Sequence, residues 1–141
     1  MGRFEGKIAL ITGSTQGVGE AVAGRLAAEG AAGIVVCGRN QERGEAVAAD
    51  LRRAGADTRF VSVELSDAAS CRNLVAAADE SFGRVDILVN AAAITLRGSI
   101  ADSSVQLWDT MMNVNVRAPF LLMQGAIEIM RREGNGGSIV N

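Results

Sequence analysis

The sequence contains no histidine and no tyrosine, and Lys7 is its only lysine. A Ser-His-Asp triad, a histidine metal site and a tyrosine acid/base are therefore excluded within these 141 residues. Two cysteines, Cys37 and Cys71, are too few to frame a secreted disulfide domain and read as small packing residues. No cluster of ligand-type residues suggests a metal site. Neither sign of charge dominates: 14 basic against 16 acidic residues leave a net charge of −2, which argues against a nucleic-acid or anionic-membrane partner. No apolar run approaches the roughly 20 residues of a membrane span. Met1–Gly6 lack the apolar stretch of a signal peptide, so a cytoplasmic protein is expected.

What is present is an alternation. Apolar, β-branched runs at Lys7–Thr12, Gly33–Cys37, Thr58–Val63, Val85–Asn90 and Ser138–Asn141 read as strands. Several are apolar at nearly every position, the pattern of parallel strands covered on both faces. Helical spacing lies between them, as in Val18, Val22, Arg25 and Leu26, and in Cys71, Leu74, Val75, Ala78 and Phe82. Gly30, Gly55 and Gly83 each follow such a run, as left-handed caps do. Ser66 or Asp67 is placed to cap the third helix, and Ser103 with Gln106 has the capping-box spacing to open a fourth. A last helix is expected from about Pro119 to Arg132, with Pro in its first turn. Trp108 reads as a packing residue. The order β-α-β-α-β-α-β-α-α-β predicts a doubly wound α/β sheet of strand order 3-2-1-4-5.

The first strand runs directly into Thr12-Gly13-Ser14-Thr15-Gln16-Gly17-Val18-Gly19 and a helix. Gly13 permits a tight turn, Gly17 permits backbone to approach a pyrophosphate, and Gly19 permits close packing of helix on strand. The helix N-terminus then offers N–H groups and a positive dipole end to phosphate. Strand, glycines and helix in this order point to nucleotide binding.

This glycine spacing resembles the Thr-Gly-x-x-x-Gly-x-Gly signature of the short-chain dehydrogenase/reductase family. The resemblance extends along all 141 residues, which look like the N-terminal, NADP(H)-binding Rossmann portion of a longer member. It implies that Thr15, Gln16 and Val18 line the cofactor phosphates beside Gly13, Gly17 and Gly19. The second strand ends in Gly38-Arg39-Asn40, where an NAD site wants an acid about 20 residues after the glycines. Arg39 can instead pair with a 2′-phosphate, so NADP(H) is expected in preference to NAD(H), with Asn40 beside it. The resemblance further implies that Glu64 meets the adenine amino group and that Leu65 bounds the base.

Asn90-Ala91-Ala92-Ala93 resembles the family's Asn-Asn-Ala-Gly segment at two of four places. Asn90 is expected to brace the sheet, while Ala91 and Ala92 let the cofactor ribose lie close. Asn115 matches the family's catalytic Asn, which shapes its helix and holds a water of a proton relay; Val114 is expected to line the cofactor beside it. The family's Ser and Tyr-x-x-x-Lys find no match in these residues.

The reading is an oxidoreductase that moves hydride between NADP(H) and a small carbonyl or secondary alcohol. These residues supply its cofactor-binding portion, a domain at 1–141 that stops within its fifth strand, so they alone are expected to be inactive. A homodimer or homotetramer through the Pro119–Arg132 helix is expected. Alternatives are a nucleotide-binding half-domain without chemistry, a remnant without ligand, and a methyltransferase, against which Arg39 argues.

Overall fold

The computed structural model describes residues 2–141. Five strands alternate with helices: β1 (Ile8–Thr12), α1 (Gly17–Ala28), β2 (Gly33–Gly38), α2 (Gln41–Arg53), β3 (Asp57–Ser62), α3 (Ala68–Phe82), β4 (Ile87–Asn90), α4 (Val105–Met112), α5 (Ala118–Glu133) and β5 (Ser138–Val140). The strands form one parallel sheet in the expected order, β3-β2-β1-β4-β5.

The alternation of a strand explains the two cores. Leu10 of β1 and Val35 of β2 face α3 and α5, packing with Leu74, Leu88 and Leu122. Ala9 and Ile11, with Ile34 and Val36, face the other way toward Leu26 of α1 and Val47 and Leu51 of α2. Every residue of β1 is therefore buried, which is why the run is apolar throughout. Right-handed crossovers put α1 and α2 on one face and the later helices on the other. The β1–β4 junction is closed by Asp86, whose carboxylate accepts from the Ile8 N–H at 2.8 Å and pairs with Arg84.

Three local expectations are corrected. On α1 the buried stripe is Gly19, Ala23, Leu26 and Ala27, with Val22 packed at its edge, so Val18 and Arg25 lie off it; Val18 is exposed because the helix start turns it toward the cleft. The fourth helix is capped by Ser104, whose hydroxyl accepts from Leu107 N–H at 3.0 Å. Ser103 instead hydrogen-bonds Ser99 O in the preceding loop, which leaves Gln106 outside any capping box. Trp108 is exposed, being on the outer face of α4.

The final helix, α5, starts at Ala118 with Pro119 in its first turn, as expected, but it continues from α4 rather than starting afresh. Residues 105–133 form one helical run, with a π turn at Asn113–Arg117 joining α4 to α5. Pro119 has no N–H to return to the Asn115 carbonyl four residues earlier, and its ring opposes a regular α turn there. A wider turn absorbs both effects without ending the helix. For α3, Asp67 rather than Ser66 is the cap, accepting from Ser70 N–H at 2.7 Å.

Candidate cofactor cleft

A cleft of about 830 Å³ opens at the carboxyl ends of β1, β2 and β4. This is where strand order reverses: β1 connects outward to β2 through α1 on one face, while β3 returns through α3 on the other face to β4 on the far side of β1, the place where open α/β sheets take ligands. Its floor is the loop from β1 to α1. Gly13 has φ +61° and lies so close to β4 that a Cβ would sit 2.9 Å from the Ala92 backbone. A Cβ on Gly19 would sit 2.3 Å from the Gly13 carbonyl oxygen, so α1 rests directly on the loop. A Cβ on Gly17 would meet nothing, but its φ of +59° disfavours a side chain there. Gln16 occupies the N-cap of α1 without a side-chain capping bond, which leaves the first-turn N–H groups facing the cleft.

Two hydroxyls that the sequence reading passed over hold this floor in place. Ser14 Oγ donates to Ile11 O at 2.6 Å and accepts from Cys37 N–H at 2.9 Å, so the loop is tied to β2. Thr12 Oγ1 accepts from Ala92 N–H at 3.2 Å and ties β1 to the segment after β4. Cys37 is also at the cleft, but burial pushes its thiol up to about 12, so it carries no thiolate.

The structure brings together Gly13, Thr15, Gln16, Gly17, Val18, Gly19, Arg39, Asn40, Glu64, Leu65, Ala91, Ala92 and Val114 as cleft-lining residues. Asn90 is not among them. Its Nδ2 donates to Asn141 Oδ1 at 2.7 Å across β4 and β5, and its buried Oδ1 has no partner among the described residues. Asn115 does not line the cleft either. Its Oδ1 accepts from Ile94 N–H at 2.9 Å and its Nδ2 donates to Ile94 O at 2.8 Å, so the side chain fixes the cleft wall at Ile94.

Arg43 and Thr110 also line the cleft, neither anticipated from the sequence. Arg43 follows Arg39 by four residues across the α2 cap, and the cap itself turns it inward: Asn40 Oδ1 accepts from Arg43 N–H at 2.9 Å. Asn40 is thereby committed to capping. Among the described residues neither Arg39 nor Arg43 forms a salt bridge. Opposite them, the Ser66 hydroxyl and N–H hold the Glu64 carboxyl below the usual carboxylate range, with the charge of Arg39 adding to the effect.

The short chain dehydrogenase family model matches residues 7–141. The chain belongs to the short-chain dehydrogenase family. Among its relatives is the 2,5-dichloro-2,5-cyclohexadiene-1,4-diol dehydrogenase LinX of Sphingobium indicum, 42 % identical over 139 residues, covering 99 % of this chain and 55 % of LinX. The NADP-dependent (R)-specific alcohol dehydrogenase of Lentilactobacillus kefiri is 36 % identical over 140 residues, covering 99 % of this chain and 54 % of that enzyme. Among solved structures, a Burkholderia cenocepacia J2315 short chain dehydrogenase in complex with NADP superposes with a TM-score of 0.86 at 38 % identity, covering 90 % of this chain and 52 % of the other. This short-chain dehydrogenase sequence thus spans about half the length of the curated relatives it matches. Among its described residues no group of three His, Cys, Asp or Glu side chains is placed to hold a metal. No helix among the described residues is long and apolar enough to cross a membrane.

Proposed function

We propose that these residues are the cofactor-binding portion of an NADP(H)-dependent oxidoreductase of the cytoplasm, acting on a small carbonyl or secondary alcohol. The observation that carries the preference is the pair of arginines, Arg39 and Arg43, at the cleft mouth, neither in a salt bridge among the described residues. A guanidinium free of salt bridges is suited to a dianionic 2′-phosphate, and two of them share its charge. The absence of an acid at the end of β2 removes the group that would accept from a free ribose 2′-OH. The NADP dependence of the Lentilactobacillus relative and the NADP complex of the Burkholderia protein agree with this reading.

A nicotinamide dinucleotide fits the residues present. Gly17 and the N–H groups at the start of α1 would hold the pyrophosphate. Arg39 and Arg43 would hold the 2′-phosphate, and Glu64 with Leu65 the base. Ala91 and Ala92 leave room for a ribose. When bound, the nicotinamide supplies or takes up hydride. Asn115 positions the Ile94 wall of the cleft. These residues offer no tyrosine and no histidine to serve as the proton donor. We therefore expect these 141 residues alone to bind the cofactor without turning over substrate.

Isothermal titration of the purified protein with NADPH and with NADH tests the reading. NADPH is expected to bind at least about tenfold tighter, as one charge-assisted contact implies. Equal affinities, or tighter NADH, would sink the preference.

A further inference from the structure

Arg117 is a half-buried cation at the end of the π turn. Its Nη2 donates to the Ser66 carbonyl oxygen at 2.6 Å, a contact spanning 51 positions of sequence. Its buried Nε has no acceptor among the described residues. A guanidinium taken out of water and left part-satisfied costs stability, so the Ser66 contact must be judged by what else it does.

Ser66 holds Glu64. Its N–H and Oγ–H both donate to Glu64 Oε1, at 3.1 and 2.8 Å, so Oε2 is the oxygen left for a ligand. The Glu64 N–H donates in turn to Ser70 Oγ at 2.9 Å, and Ser70 sits in the first turn of α3, whose cap is Asp67. Residues 64–70 are thus a chain of short-range bonds whose one long-range hydrogen bond to the helical run, among the described residues, comes from Arg117. The π turn is what aims it. The one residue it adds rotates every later side chain by about 100° around the axis. That same turn carries Val114, on the cleft, and Asn115, bonded to the Ile94 wall.

We propose that Arg117 is a positioning residue for the base end of the cofactor cleft: through Ser66 it fixes the Glu64 carboxylate to read the exocyclic amino group of adenine. It thereby links the loop at the base to the turn that holds the opposite wall. The proposal rests on the cofactor reading above.

The test compares the purified protein's dissociation constants for NADPH and for its hypoxanthine counterpart, in which a 6-oxo group replaces the 6-amino group. The unsubstituted protein is expected to prefer NADPH about tenfold, the value of one hydrogen bond to a carboxylate. Arg117→Met should bring that ratio near one while leaving the affinity for the hypoxanthine cofactor within about twofold. Arg117→Lys should retain part of the preference. Ser66→Ala, which removes the Oγ bond to Glu64 but keeps the carbonyl that Arg117 meets, should lower the ratio without threatening the fold, and Arg117→Lys carries the test if Arg117→Met does not fold. In the double variant with Glu64→Gln, Arg117→Met should add nothing further. A merely structural role would weaken both cofactors equally; that result, or an unchanged ratio, overturns the proposal. An unsubstituted protein that binds both cofactors equally overturns it too, while leaving the cofactor reading intact. Failure to bind NADPH at all defeats the reading beneath.

Discussion

Asn115 and Ile94 are joined by two hydrogen bonds of opposite sense, Ile94 N–H to Oδ1 at 2.9 Å and Nδ2–H to Ile94 O at 2.8 Å. A primary amide is the side chain that can answer a peptide in this way, offering one donor and one acceptor side by side. The π turn is thereby tied to the segment after β4, 21 positions earlier in the chain. Asn115→Ala strands both backbone groups in a half-buried setting. Stability should fall by about 1–3 kcal/mol in urea denaturation, and NADPH should bind more weakly as the Ile94 wall loosens. Unchanged stability would mean that water serves Ile94 equally well.

Gly19 is a packing requirement. Its Cβ would approach the Gly13 carbonyl oxygen to 2.3 Å, a contact with backbone that cannot swing aside. Gly19→Ala should cost about 1–3 kcal/mol by forcing α1 off the loop, and should weaken dinucleotide binding with it. Gly24→Ala on the same helix, where a Cβ meets nothing, should be neutral or stabilising by about 0.5–1 kcal/mol. Equal effects of the two substitutions, read from denaturation midpoints, would contradict the packing argument.

Asp86 gives the fold a specific acid sensitivity. Burial works to raise its pKa, but the Arg84 guanidinium and the Ile8 N–H outweigh burial and hold the carboxyl below its ordinary range. The unfolded chain therefore takes up this proton first as pH falls. The stabilisation is complete above the unfolded value of about 3.9 and is lost as pH drops through the lower folded value. Asp86→Asn should lower stability at pH 7 by about 1–3 kcal/mol. It should also flatten the decline of stability between about pH 5 and pH 2. An unaltered pH profile in the variant would count against this assignment.

The outer face of the helical run carries Val105, Trp108, Met112, Val116 and Phe120, all exposed. These positions are three and four apart, a stripe that one helix can lay against another. We expect a second copy of the chain to cover it, as the relation of α5 to the rest of the sheet leaves Ile127 exposed as well. Sedimentation velocity at micromolar concentration should show a dimer or larger species, and Phe120→Glu should return it to the monomer. A sharp monomer boundary from the unsubstituted protein would refute the pairing.

The glycine loop was legible because each glycine answers a local demand: a positive φ at Gly13 and Gly17, a backbone approach at Gly19. Strand order was legible because β1 and β2 are apolar on both faces, which only a central parallel position explains. The π turn was not, since an Asn-Val-Asn-Val-Arg stretch has no helical period of its own and tertiary bonds from Asn115 and Arg117 set its shape. Arg43 was missed because its approach to the cleft depends on how the Asn40 cap turns α2. Trp108 was misjudged because an aromatic at helical spacing signals a covered face without saying whether this chain or another copy covers it.

The most direct test isolates the 2′-phosphate from everything else. The purified protein is titrated with 2′,5′-ADP and with 5′-AMP, which differ by that one group. We predict that 2′,5′-ADP binds at least about tenfold tighter, and that the difference narrows in Arg39→Ala and again when Arg43→Ala is added. Equal affinities for the two nucleotides would contradict the account.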